Sequence, residues 1–278
     1  MKLTFLGTAA AEGCPAVFCN CRYCAEAREK GGKDIRTRSQ SLINDDLLID
    51  LPADTYHHFL QNRIRGDRIK HLLITHGHGD HYYPKELFNR GSCYAHNMEV
   101  QTLDVICPET VFLRVTADVA EADRDVARGL AIHLARPFQT MKFGDYEITP
   151  LPAKHAFGQS AVIYVIRQGN KTLLYAHDTG YPYREVLDYI REKGLYFNFA
   201  TFDCTNAHLP IDDSGSHMGF DNVGRLIEEL KGYGAIDDSS LLYVNHFSHN
   251  GDCIHERMTE SAARIGCRVS YDGCAVEF

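Results

Sequence analysis

The sequence feature that most constrains the fold is a group of metal-binding side chains that directly follows a short apolar strand. The apolar run 72–74 is followed by His76, His78, Asp80 and His81, so four ligand-type side chains fall within six residues. The two glycines between them allow the backbone to turn, so that neighbouring side chains can converge on one point. Imidazole and carboxylate groups suit zinc, manganese or iron. The segment therefore predicts a metal centre, and the alternative is a polar loop with solvated histidines.

Length, charge and apolar content limit the class of protein. The chain has 278 residues, of which 44% are hydrophobic, and a net charge of −8. An acidic chain repels polyanions at long range, so we expect a small anionic substrate rather than nucleic acid. No window approaches the roughly 20 apolar residues of a membrane span, and the N-terminal apolar run is too short for a signal peptide. We therefore expect a cytoplasmic protein, away from membranes, with its ten cysteines reduced. The sequence leaves a homodimer open.

Short apolar runs predict strands, and segments of helical periodicity lie between them. Strands are predicted over residues 2–6, 41–43, 47–50, 71–75, 103–107, 130–134, 146–150, 161–166, 172–176, 198–203, 241–245 and 268–271. Helices are predicted over residues 53–65, 109–128, 183–192, 220–231 and about 255–265. The segment 8–38 is expected to be a long irregular loop. This order fits an α/β sandwich of two mixed sheets with helices outside. We expect a single domain over 1–278 with a Cys-rich, zinc-binding loop at about 14–24.

Clustered cysteines predict a second, structural metal site. Cys19, Cys21 and Cys24 can surround one tetrahedral zinc ion, which needs a fourth ligand. His249 is the candidate for that ligand. Two alternatives stay open: Cys14 could replace any of the three cysteines, or all of them could be free thiols in a loop.

The order of these motifs resembles the metallo-β-lactamase superfamily. Its signature, His-x-His-x-Asp-His after a strand, matches residues 76–81. In that family further ligands come from later strand ends, and His155, Asp178 and His246 follow predicted strands here in the same order. The resemblance implies a four-layer αββα sandwich of two mixed β-sheets flanked by helices.

The resemblance also implies how two divalent metal ions share their ligands. Each ion takes three residues of its own, and one aspartate bridges the two ions. The ligands of the first ion are His76, His78 and His155, and those of the second are Asp80, His81 and His246. Asp178 bridges the two ions. Asp50 matches an early aspartate of the family and is predicted to orient a ligand or loop from behind. The alternative for each late residue is a hydrogen-bonded structural role.

Three features together resemble the PhnP-like branch, whose members include a phosphodiesterase that acts on a cyclic ribose phosphate. They are the turn Gly7–Thr8, the Cys-x-Cys-x-x-Cys loop, and the pair His246 and His249. In that branch a histidine just before the late helix lies near the bound phosphate, which makes His217 a candidate phosphate ligand or general acid. His208 is its rival in the same stretch, and the alternative is that His217 only caps the helix or lies on a mobile loop.

The resemblance implies a metal-dependent hydrolase. The branch implies a phosphodiesterase that cleaves a small phosphodiester, cyclic esters included, by attack of a hydroxide bridging the two metals. His217 and Asp80 are the predicted catalytic residues, with Asp80 also a metal ligand. The expected cofactors are two zinc, manganese or iron ions and one structural zinc. The alternatives are hydrolysis of thioesters, lactones or RNA 3′ ends on the same fold, or a cofactor-biosynthesis metalloprotein with oxidative chemistry.

Overall fold

Two seven-stranded sheets organise the part of the chain that the computed structural model describes, residues 1–90, 92–121 and 124–278. The strands in chain order are β1 (Lys2–Gly7), β2 (Gln40–Ile43), β3 (Leu47–Ile49), β4 (His71–Leu73), β5 (Leu103–Cys107), β6 (Leu130–Leu134), β7 (Met141–Phe143), β8 (Tyr146–Pro152), β9 (Val162–Gln168), β10 (Lys171–Ala176), β11 (Phe199–Asp203), β12 (Leu241–Asn245), β13 (Arg268–Val269) and β14 (Cys274–Glu277). The α-helices are α1 (Arg22–Lys30), α2 (Thr55–Gln61), α3 (Lys85–Phe88), α4 (Glu109–Glu121), α5 (Arg124–Arg128), α6 (Arg184–Glu192), α7 (Phe220–Gly232) and α8 (His255–Arg264). Short 3-10 helices span Gly32–Asp34, Gly66–Arg68 and Ser92–Tyr94.

Both sheets are mixed, with a parallel half and an antiparallel half. The first has the order β14-β1-β2-β3-β4-β5-β6, and its strands from β3 to β6 run parallel. The second has the order β13-β12-β11-β10-β9-β8-β7, with β10 to β13 parallel. The predicted sandwich of two mixed sheets flanked by helices is confirmed.

The core follows from the alternation of side chains along each strand. In β3, Leu47 and Ile49 pack into the cluster between the two sheets, whereas Leu48 packs under the outer helices. In β4, Leu73 and Leu72 divide in the same way. Successive strand residues point to opposite faces, so a strand buried on both faces is apolar at every position.

The parallel halves bring polar residues from distant segments to one edge of the sandwich. Asp50 follows β3 and His76 follows β4 in the first sheet, whereas Asp178 follows β10, Asp203 ends β11 and His246 follows β12 in the second. Because parallel strands end at the same edge, these five side chains converge.

One predicted element was wrong in extent. The segment 8–38 is not irregular throughout, since α1 lies within it. That helix is rich in Ala, Glu, Arg and Lys, which have high helix propensity, and it ends at Gly31 with a φ of 63°. The helix predicted over 109–128 is found as α4 and α5, which begin and end at the predicted bounds, and residues 122 and 123 between them lie outside the described residues.

The expectation that all ten cysteines are reduced was also wrong. Cys14 and Cys253 form a disulfide across a sequence separation of 239 residues. Both are buried with Ala27 and Ile254 in a small apolar cluster, so the fold itself brings the two sulfur atoms together and shields them. Among the described helices, none has the length and apolar character needed to cross a bilayer.

Candidate metal centre

Three histidines form the first group of the site. His76 and His78 lie in the loop after β4, and His155 lies in the loop after β8. His78 Nδ1 is 2.9 Å from His76 Nε2 and 3.1 Å from His155 Nε2. Three ring nitrogens this close together face a common point, which is the arrangement one metal ion requires.

A second group forms beside it from Asp80, His81, Asp178 and His246, all of them buried. His81 Nε2 lies 3.2 Å from Asp80 Oδ2 and 3.4 Å from Asp178 Oδ2. The same Asp178 oxygen is 3.4 Å from Nε2 of His155, a member of the first group. Asp178 therefore stands between the two groups, where a bridging ligand belongs. The structure brings together all seven predicted ligands, and their binding of metal stays a prediction.

Unpaired buried atoms test whether metal ions fit this site. Within the described residues, His246 Nε2 is buried and makes no hydrogen bond, whereas His81 Nε2 and Asp178 Oδ1 are buried and have only charged neighbours at 3.1–3.4 Å, in a geometry that forms no hydrogen bond. An unsatisfied buried polar atom costs about 1–3 kcal/mol, and a fold rarely retains three of them in one place. Nitrogen and carboxylate donors are the ligands of a divalent ion, so the residues present fit such ions.

Asp50 supports His81 from behind, as predicted for an orienting residue. Its Oδ2 accepts a hydrogen bond from His81 Nδ1 at 2.7 Å, and its Oδ1 accepts one from the Thr75 backbone N–H at 2.8 Å. With Nδ1 held in this way, Nε2 of His81 is the nitrogen that faces the site.

Burial and charge set the protonation of the ligands. Burial, assisted by the charge of His81, lowers the pKa of His76 well below its usual value, which favours the neutral imidazole that binds metals. Burial opposes ionisation of Asp178, but the charges of His246 and His217 outweigh it and hold the pKa of that carboxyl well below its ordinary range.

His217 stands at the mouth of the site, held by two carboxylates. Its Nδ1 lies 3.0 Å from Asp203 Oδ2 and 3.1 Å from Asp178 Oδ1. Burial works against protonation, but these two carboxylates prevail and raise the pKa of His217 to about 11. In the described part of the chain the ring makes its polar contacts through Nδ1, which leaves Nε2 for a substrate. The rival His208 lies elsewhere, exposed and 2.8 Å from Ser261 Oγ.

Asp203 and Thr205 are site residues that the sequence reasoning missed. Asp203 is fully buried, and its Oδ1 accepts the backbone N–H groups of Thr205 and Met218 at 3.0 and 3.1 Å. Thr205 Oγ1 lies 2.7 Å from His246 Nδ1. A signal was present in the sequence, because Asp203 ends a predicted strand as Asp50 does.

Gly77 gives Arg114 access to the metal-binding loop. Arg114 Nη1 donates a hydrogen bond to Gly77 O at 2.7 Å, and a Cβ atom at position 77 would lie only 2.8 Å from that nitrogen. The guanidinium of Arg114 is therefore held beside the loop that carries His76 and His78. A planar cation there favours an anionic substrate.

The Cys-rich loop forms a separate group with His249. The ligand atoms of Cys19, Cys21, Cys24 and His249 all lie within 4.8 Å of one another, and His249 Nδ1 is 3.4 Å from Cys21 Sγ. Burial raises the pKa of Cys21, but hydrogen bonds from Cys24 N–H and His249 outweigh it and lower the pKa to about 6. A lowered pKa favours the thiolate, which is the form of cysteine that binds zinc. Cys14, the open alternative, is in the disulfide.

Known proteins resemble this chain in sequence and in fold. A model of the β-lactamase superfamily domain matches residues 47–243. The chain belongs to the β-lactamase superfamily, and it has the metallo-hydrolase fold of that family.

Individual relatives share part of the sequence or the fold. Ribonuclease Z from Picosynechococcus is 26% identical over 185 residues, which cover 66% of this chain and 53% of that protein. The chain thus spans about half the length of this curated relative. A diphosphatase of the PhnP family is 21% identical, with a TM-score of 0.71 over 100% of this chain and 96% of its own. Zinc-bound PqqB from Methylobacterium extorquens is 16% identical, with a TM-score of 0.74 over 100% of both chains. These two structures share the fold.

Proposed function

We propose that the protein is a metal-dependent phosphodiesterase that hydrolyses a small anionic phosphodiester, cyclic esters included. The observation that carries this proposal is the convergence of buried ligand atoms from His81, His246 and Asp178 beside His217, whose Nδ1 lies 3.0 Å from Asp203 Oδ2 and 3.1 Å from Asp178 Oδ1. A phosphodiester needs both a cationic cradle and a donor for its leaving oxygen, and this site offers the two together.

The proposed ligand sets divide the site into two metal positions. One ion would take three histidines, the other would take three further residues, and Asp178 would bridge them. The sets are His76, His78 and His155 for the first ion, and Asp80, His81 and His246 for the second. Zinc, manganese or iron bound there would polarise the ester and supply a water-derived nucleophile at neutral pH. The Cys-rich loop would hold a structural zinc.

The protein's own groups orient the reactants. Asp203 and Asp178 hold His217 through Nδ1, so that Nε2 faces the ester and can protonate the leaving oxygen. Asp80 contacts His81 Nε2 through Oδ2. Its other oxygen, Oδ1, would accept a hydrogen bond from the attacking water and fix the direction of attack. Arg114 adds positive charge beside the phosphate.

Two relatives support a substrate in which a phosphorus–oxygen bond is cleaved. A diphosphatase and a ribonuclease both cleave phosphorus–oxygen bonds. The ribonuclease relative makes RNA the second candidate substrate, although the net charge of −8 disfavours a long polyanion.

Hydrolysis of bis-p-nitrophenyl phosphate by protein stripped of metal and reloaded with zinc or manganese tests the proposal. We expect cleavage only after reloading, and a cleavage rate that hardly changes with salt concentration. His217→Ala should lower turnover about a hundredfold or more with the metal content unchanged. Full metal loading without diester cleavage, but with cleavage of a thioester or lactone, would refute the phosphodiesterase. A steep fall in the cleavage of tRNA precursors with added salt would favour RNA.

A further inference from the structure

A pocket of about 520 Å³ opens beside His155 and is not used by the chemistry described above. We call it the side pocket. Its lining includes His155, Phe157, Gln159, Tyr183, Arg136 and Glu109. The volume lies within the roughly 300–1,000 Å³ typical of small-molecule sites. His155 also belongs to the first metal group, so the side pocket adjoins the proposed metal site on that side.

Two aromatic rings in the lining are left without full packing. Phe157 is 75% exposed and Tyr183 is 38% exposed, although large aromatic side chains are usually buried. Phe157 is two residues from His155, and Tyr183 directly precedes α6. Flat apolar faces at the opening of a site favour a planar group that stacks on them.

The polar part of the lining argues for a neutral partner that hydrogen-bonds. Arg136 and Glu109 carry opposite charges, so the lining offers no excess of positive charge for a second phosphate. Gln159 has an Oε1 atom that is buried and makes no hydrogen bond within the described residues. An edge carrying N–H groups would satisfy that acceptor.

We propose that the side pocket binds an uncharged, planar heteroaromatic group of nucleobase type, which makes the substrate a nucleoside phosphodiester. This inference rests on the proposed function, because it needs the phosphate to be held at the metals. Phe157 and Tyr183 stack on the base, and Gln159 accepts a hydrogen bond from its edge. These residues determine specificity and take no part in bond breaking.

Binding of two phosphate monoesters to the manganese-loaded full chain, measured by titration calorimetry, tests the inference. Adenosine 5′-monophosphate and ribose 5-phosphate share the phosphate and the sugar and differ in the base. We expect the adenosine compound to bind at least tenfold more tightly, since stacking of one base on an aromatic side chain contributes about that factor. Phe157→Ala should reduce the ratio of the two affinities about tenfold. Tyr183→Ala provides a second variant from another element.

Phe18→Ala is the matched control, because Phe18 is a fully exposed phenylalanine outside the side-pocket lining, and it should leave the ratio unchanged. Equal affinity of the wild-type protein for the two ligands overturns the side-pocket inference and leaves the phosphodiesterase standing. Failure of both ligands to bind overturns the proposed phosphate site, and the inference falls with it. A ratio that stays high in both pocket variants also refutes the assignment of the base to this pocket.

Discussion

Replacing Asp203 with asparagine should slow hydrolysis while leaving the fold and the metals in place. Oδ1 of Asp203 accepts the backbone N–H groups of Thr205 and Met218. Oδ2 contacts His217 Nδ1 at 3.0 Å and also accepts longer hydrogen bonds from Thr205 Oγ1 and Thr179 N–H, at 3.2 and 3.4 Å. The amide retains an oxygen for the backbone and puts an N–H donor toward the ring. A hydrogen bond to a charged group contributes about 1.5–3 kcal/mol, and about 1.4 kcal/mol corresponds to a factor of ten. We therefore expect kcat to fall about 10- to 100-fold.

A double-mutant cycle separates positioning from general damage. If Asp203 acts through His217, Asp203→Asn should cost less than about threefold in kcat when His217 is already alanine. The matched control is Asp104→Asn, because Asp104 also lies between two histidines, at 2.9 Å from each, and belongs to none of the metal-binding groups. It should leave kcat within about twofold. Full additivity of the losses from Asp203→Asn and His217→Ala, with metal content unchanged, would refute the reasoning.

Three further predictions concern metal affinity and stability. Asp50→Ala should weaken binding of the metal at His81 about 10- to 100-fold in a competitive zinc titration, and an unchanged affinity would contradict its orienting role. Cys21→Ser should remove one zinc per chain in elemental analysis and lower Tm, whereas an unchanged zinc count would exclude the Cys-rich site. Arg36, only 2% exposed, donates hydrogen bonds to the backbone carbonyls of Ser270 and Cys253. Arg36→Met leaves these two buried acceptors unpaired, so it should lower the free energy of unfolding in urea by about 2–6 kcal/mol, at about 1–3 kcal/mol for each. The exposed Arg65→Met should change it by less than about 0.5 kcal/mol, and equal losses in the two variants would contradict the prediction.

The ligand groups could be predicted because each is marked locally. The loop at 76–81 contains four ligand-type residues at a recognisable spacing. His155, Asp178 and His246 each follow an apolar run that predicts a strand. Strand ends on mixed sheets meet at one edge, so order along the chain was enough to group them.

Asp203 could not be assigned in the same way. It also ends an apolar run, but an aspartate at a strand end is common and has many structural uses. Its role appears only when β11 is seen between β10 and β12, which places it beside Asp178 and His246. That strand order results from long-range pairing, which periodicity does not encode.

In the N-terminal segment, local sequence patterns led to a wrong prediction. Glycine, proline and cysteine predicted an irregular loop over 8–38, but local helix propensity within it formed α1. The partner of Cys14 lies 239 residues away, so no local pattern could identify Cys253. The side pocket likewise depends on loops from both sheets and has no signature in the sequence.

We propose that the converging ligands hold two metal ions that serve phosphodiester hydrolysis. Elemental analysis of protein purified without chelator, together with the rate of bis-p-nitrophenyl phosphate cleavage in the same samples, tests it most directly. We expect about three ions per chain, two at the ligands around Asp178 and one at the Cys-rich loop, and a cleavage rate that rises with occupancy of the first two sites. At most one ion per chain in the presence of excess zinc and manganese would contradict it.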